Sequence, residues 1–197
     1  MNIFSIVALL ILGVTPALAH VGHLVGHGAT ESIAAGLVHP LSGLDHIAVM
    51  LAVGLWAALK GGRALWLWPA AFVGVMLIGG ALGMAHVPVP LVEPGILASV
   101  IALGLLVALA VDLPVALGAL IVGAFALLHG YAHGSEVAEN IGGFGYMAGF
   151  AFVTATLHLT GIGFARLMTR AHMRPVIRAA GGLCVFVGIV LIGGLAS

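Results

Sequence analysis

Long apolar runs broken by brief polar interruptions set the frame of this chain. After an apolar N-terminal stretch, six runs follow at Ile33–Leu59, Ala64–Met84, Leu91–Val111, Pro114–His133, Ile141–Ala165 and Pro175–Leu195. At 1.5 Å per helical residue each can cross a hydrocarbon core of ~30 Å, the fourth only if it runs past Leu128. The connections are short: Lys60-Gly-Gly-Arg63, His86-Val-Pro-Val-Pro90 and Asp112-Leu-Pro114. No linker, low-complexity tract or second domain divides the chain. The pattern predicts an all-α, polytopic integral membrane protein with six transmembrane helices.

Residues 1–19 read as a signal peptide. Ile3 to Val14 are apolar, and Pro16-Ala17-Leu18-Ala19 offers an A-x-A cleavage site before His20. Met1-Asn2 lacks the usual basic residue, so an uncleaved first helix is the alternative. Residues 20–197 then form one six-helix membrane domain.

Composition sharpens this picture. Of 197 residues, 62% are hydrophobic and 6% charged, with a mean hydropathy of +1.29. Soluble domains carry about 25% charged residues, so the bilayer is the expected solvent. Six Lys/Arg balance six Asp/Glu, which argues against a nucleic-acid partner. The single Cys184 excludes an internal disulfide and any CxxC pair.

All six cations fall at the same ends of the spans. Lys60 and Arg63 lie between runs one and two, and Arg166, Arg170, Arg174 and Arg178 flank the junction of runs five and six. The positive-inside rule places these loops in the cytoplasm and both mature termini in the periplasm. Signal-peptide cleavage requires the same orientation. Thirty glycines are present, and close helix packing is their expected use.

Two polar clusters interrupt the runs: His39-Pro-Leu-Ser-Gly-Leu-Asp45-His46 and His129-Gly-Tyr-Ala-His133-Gly-Ser-Glu136. The first opens run one and the second closes run four, so both fall on the outer side. Ionisable groups at such positions are costly and mark function. On a helix, His129, His133 and Glu136 lie within roughly 60° of one another, a three-ligand stripe suited to a borderline divalent ion. Gly130 and Gly134 leave room for a neighbouring helix. His39 and His46 are two turns apart, although Pro40 and Gly43 disfavour one continuous helix. Ser42 and Asp45 suggest a capping arrangement with a helix start near Ser42. Asp45 is then a ligand, an orienting partner of His46, or only a cap.

Other candidates are weaker. His158, deep in run five near Thr154 and Thr156, is an accessory relay ligand or a hydrogen-bonded packing histidine. His20, His23 and His27 collect metal at the outer surface or form a polar tail. His86 and His172 read as solvated loop residues, and Glu31, Glu93 and Glu139 as surface acids.

With these motifs in view, the chain resembles the HupE/UreJ family of bacterial nickel/cobalt permeases. The family's H-x5-D-H element reads His39-PLSGL-Asp45-His46 here. Its F-H-G-x-[AV]-H-G-x-E element reads Leu128-His129-Gly130-Tyr131-Ala132-His133-Gly134-Ser135-Glu136, with Leu128 replacing the aromatic. The resemblance implies inner-membrane uptake of Ni²⁺ or Co²⁺ supplying urease or hydrogenase. It implies His39, Asp45, His46, His129, His133 and Glu136 as the metal positions. The ion is then transported substrate, no prosthetic group is expected, and the protein is not an enzyme. The partners are a divalent ion and the lipid bilayer, with self-association left open. The main rival is an intramembrane zinc hydrolase, for which Ser42 and Ser135 are the local nucleophile candidates. A second rival is a cytochrome with two histidines as haem ligands.

Overall fold

The computed structural model describes residues 29–137 and 142–195. The expected signal peptide, His20, His23, His27 and Glu139 lie outside the described residues. The described elements are α1 (Ala29–Val38), a 3₁₀ turn (His39–Leu41), α2 (Leu44–Lys60), α3 (Ala64–Met84), α4 (Val92–Ala108), α5 (Val115–Ser135), α6 (Gly143–Arg170) and α7 (Arg174–Leu195). All regular structure among the described residues is helical.

Four helices, α3, α5, α6 and α7, are long and apolar enough to cross a membrane. The first apolar run is not the single straight span that its hydropathy suggests. Thr30–Leu41 and Leu44–Lys60 meet at 80° and pass as one span only when taken together. The break has a local cause. Pro40 offers no backbone N–H, and Gly43 is extended, with φ −103° and ψ 124°. The Ser42 hydroxyl donates back to the His39 carbonyl at 2.6 Å. Gly43, not Ser42, therefore precedes α2, and no side chain caps that helix. The expected Ser42–Asp45 capping pair does not form.

The third run is also shorter than expected. Its helix, α4, has 17 residues, about 26 Å at the helical rise. The chain leaves the helix at Leu109 and passes through Ala110 at φ +51°. The fifth runs further than expected, to Arg170.

α2 is the buried centre. Val49, Met50, Val53, Trp56 and Ala57 are all fully enclosed. α3 packs along α5, α4 along α7, and α6 along both α1 and α2. At the Lys60 end, the Trp56 and Trp68 rings lie 4.2 Å apart. Their indole N–H groups donate to the Val111 and Val115 carbonyls, both at 2.9 Å. The Val111 carbonyl lies in the α4–α5 junction, where helix bonding lapses, while Val115 begins α5. Lys60 pairs with Asp112 at the same end. The outward faces are apolar: Leu120, Phe152, Leu159, Leu183 and Phe186 are all exposed. Such a surface would be a liability in water and is the ordinary one in lipid.

Candidate functional site

Both polar clusters meet at the end of the bundle opposite Lys60. The bend after α1 carries His39 over the C-terminal end of α5, while His46 sits in the first turn of α2. His129 and His133, one turn apart on α5, point inward and are buried, as is His46. The ring centroids of His46 and His133 are 4.2 Å apart, and those of His46 and His129 are 4.8 Å apart. Phe150 of α6 lies 4.4 Å from the His133 ring and 6.1 Å from the His46 ring. Phe72 of α3 flanks His129 at 6.0 Å. Apolar walls therefore hold three imidazoles together in a buried, low-dielectric cluster.

Protonation of each ring follows from what sits behind it. His46 Nδ1–H donates to Asp45 Oδ1 at 2.8 Å, which leaves Nε2 as a lone pair. The same carboxylate oxygen accepts the His46 backbone N–H at 2.9 Å, so Asp45 faces its neighbour and orients it. Ser99 Oγ donates to the Ile96 carbonyl at 2.5 Å. Its oxygen thus accepts from His129 Nε2–H at 2.9 Å, leaving Nδ1 of His129 bare. Behind His133, Glu136 Oε2 lies 3.5 Å from Nδ1, a charge contact too long for a good hydrogen bond. It favours the proton on Nδ1 and a lone pair on Nε2.

The three bare nitrogens converge. His129 Nδ1 and His46 Nε2 are 3.2 Å apart, and His133 Nε2 touches His46 Nε2. Two nitrogens bound at ~2.1 Å to one ion, roughly 100° apart, are separated by about 3.2 Å. Lone pairs at this spacing repel, and a cation between them turns repulsion into coordination. Back-side carboxylates and hydroxyls of this kind fix ring orientation and raise ligand basicity.

A second, outer trio shares His133. His39, His133 and Glu136 each offer a ligand atom, all within 4.8 Å of one another. His39 Nε2 lies 3.3 Å from Glu136 Oε2. The His133 and His39 rings hold the Glu136 carboxyl well below the usual carboxylate range. Glu136 therefore stays anionic at the mouth, half in solvent. His133 faces the outer trio with Nδ1 and the inner one with Nε2, and since a neutral ring carries a single lone pair it serves one trio at a time, according to which nitrogen holds the proton.

All six motif residues are thus brought to one place, Asp45 as a support for His46. His158 lies deeper and is fully buried, with no hydrogen-bond partner for either ring nitrogen among the described residues. The sequence reading of a hydrogen-bonded packing histidine does not describe it. His86 and His172 are exposed loop residues. Ser99 and Phe150 escaped the sequence reading. Ser99 carried a usable signal as a lone hydroxyl within an apolar run, whereas Phe150 looked like any other lipid-span aromatic.

The geometry weighs against both rivals. Ser42 and Ser135 donate to the His39 and Ala132 carbonyls and neither is poised on a histidine. Ser99 does meet His129, but it is fully enclosed. No flat macrocycle fits between His46 and His129 nitrogens 3.2 Å apart.

Comparison with known proteins gives a consistent result. The family model described as "HupE / UreJ protein" matches residues 7–191. Protein HupE of Rhizobium leguminosarum bv. viciae is 45% identical over 179 residues, covering 91% of this chain and 92% of that protein. No solved structure matches.

Proposed function

The chain belongs to the HupE/UreJ family, and on that premise we propose that it takes up Ni²⁺, or Co²⁺, across the bacterial inner membrane for hydrogenase or urease. The observation that carries this reading is the convergence of His46 Nε2, His129 Nδ1 and His133 Nε2, each freed by a partner behind it. Nitrogen donors backed by carboxylates suit borderline divalent ions, and a set without thiolate disfavours Cu(I). Anionic Glu136 draws a hydrated cation to the mouth, where His39 and His133 displace part of its water. Transfer of the ion to His133 Nε2, with the ring proton passing to Nδ1, then delivers it to the inner trio.

The expected topology is six spans, with α1 and α2 together as the first. The bilayer is the solvent, and the loops at the Lys60 end are cytoplasmic by the positive-inside rule. The histidine cluster then opens to the periplasm. A potential of 100 mV, negative inside, favours inward movement of a divalent ion by ~4.6 kcal/mol. That suffices for uptake without a nucleotide-driven pump. The ion is cargo throughout, and the chain performs no chemical conversion.

The direct test is ⁶³Ni²⁺ accumulation in cells expressing this chain, with unlabelled Co²⁺ and Zn²⁺ as competitors. Accumulation above the vector control, reduced by Co²⁺, is expected. Accumulation at the control level contradicts the proposal.

Acid should inhibit uptake. A ligating imidazole must be neutral, and protonation removes the lone pair that binds the ion. Glu136, held anionic, does not titrate in this window, so the loss comes from the rings. Uptake measured at fixed free Ni²⁺ and fixed potential is expected to fall about tenfold between pH 7 and pH 4. A flat profile over that range speaks against imidazole ligands.

A further inference from the structure

Among the described residues, His158 is the buried histidine that the mouth of the protein leaves unused. Its ring is fully enclosed in α6, and neither nitrogen has a partner among the described residues. Burying an imidazole in that condition is unfavourable, because both nitrogens give up water and receive nothing. A leucine of similar size would pack there at lower cost. The side chain therefore calls for a ligand that comes and goes.

Its depth can be read along two helices. Phe150, which walls the outer cluster, lies eight residues before His158 on α6, about 12 Å away at the helical rise. On α2, Gly54 lies eight residues beyond His46 and packs directly on the His158 backbone carbonyl. Both routes put His158 about 12 Å inward from the three-histidine pocket. The way between them is lined by few residues. Phe72 has His129 on one side at 6.0 Å and His158 edge-on at 5.0 Å. One turn along each helix lie Met76 and Thr154, both fully buried, with the Thr154 hydroxyl donating to the Met76 thioether at 3.7 Å. Below, the Trp56–Trp68 pair closes the bundle.

We propose that His158, with Thr154 Oγ1 and Met76 Sδ, is a second station for a divalent transition-metal ion between the outer cluster and the cytoplasmic end. This rests on the transport reading above. Imidazole, hydroxyl and thioether are neutral donors that accept a borderline ion and hold it loosely. The outer cluster has Asp45 and Glu136 behind its rings, whereas among the described residues no carboxylate hydrogen-bonds His158. The ion thus passes from a tighter site to a weaker one, and weak holding is what permits release. The Phe72 ring is the partition it crosses, its face offering attraction to a cation on the way.

His158→Leu separates this role from packing. It keeps the volume and removes the unpartnered nitrogens, so a merely structural histidine would tolerate it. Purified protein in lipid nanodiscs is titrated with ⁶³Ni²⁺ by equilibrium dialysis, and the same variants are assayed for uptake in cells. Wild type is expected to bind about two ions per chain and His158→Leu about one. The retained ion should keep its Kd within about twofold, the midpoint of thermal unfolding should be equal or higher, and uptake should drop at least about tenfold. Unchanged stoichiometry, or unchanged uptake, in His158→Leu overturns the proposal. If wild type accumulates no ion at all, the transport reading fails, and the dialysis still decides whether His158 binds metal.

Discussion

Replacing His46 by Ala is expected to cut ⁶³Ni²⁺ accumulation by at least about a hundredfold while the protein stays in the membrane. His46 is the hub of the site. Its Nε2 faces His129 Nδ1 at 3.2 Å and also touches His133 Nε2, and its other nitrogen is the attachment point for Asp45. Alanine therefore removes a donor and releases the carboxylate that oriented it. The folded state should survive, because Asp45 Oδ1 still accepts the backbone N–H at position 46. A destabilisation of about 1–3 kcal/mol is expected. His129→Ala should behave alike. Ser99 keeps its bond to the Ile96 carbonyl, so no buried donor is stranded. Accumulation is read against the amount of protein in the membrane fraction. Normal accumulation in either variant would remove the pocket from the transport path.

The second large effect concerns a residue with no side chain. Gly130 stands between His129 and His133 on α5, where that helix meets α3. A Cβ at this position would fall on the Met76 backbone carbonyl, which no rotamer change can relieve. Gly130→Ala is expected to destabilise the protein by at least about 3 kcal/mol. The helices must separate, and the two histidines move with α5. Gly163→Ala is the control. Nothing lies within 4 Å of its added Cβ, and a helical Gly→Ala change is neutral or stabilising. Thermal unfolding in detergent, with membrane abundance, compares the two. Equal behaviour of Gly130→Ala and Gly163→Ala would contradict the close packing of α3 on α5.

Much of this architecture was legible from the apolar runs. A bilayer-spanning helix has to be apolar along its length, so hydropathy alone located α3, α5, α6 and α7 within a few residues at most ends. Charge added the sidedness expectation, and the two clusters fall at one end because the first opens its run and the second closes its own. The bend between α1 and α2 was not visible as a bend. Hydropathy sums across Pro40 and Gly43 without registering that backbone bonding fails there. The expected Ser42–Asp45 cap failed because both side chains found other partners, the His39 carbonyl and the His46 ring.

The ligand types were legible as well, but their division of labour was not. Spacing placed His129, His133 and Glu136 on one stripe, yet could not say that Glu136 would reach His39 at the mouth. Nor could it show that Ser99, from a separate helix, lies behind His129. Those facts depend on which helices pack together, and glycine and alanine surfaces give the sequence little to encode about neighbours. His158 shows the same limit. Its position deep in a span was plain, but the lack of any partner became visible only with the surrounding helices in place.

The central claim is that nitrogen donors from α2 and α5 hold one ion jointly. A double-mutant cycle on Ni²⁺ binding tests it most directly, using purified wild type, His46→Ala, His129→Ala and the double variant in ⁶³Ni²⁺ equilibrium dialysis. A shared site predicts that the double variant loses little more affinity than either single one, since the first substitution already dismantles the pocket. Losses that multiply, so that the double variant falls by the product of the two single effects, would show independent sites and contradict the account.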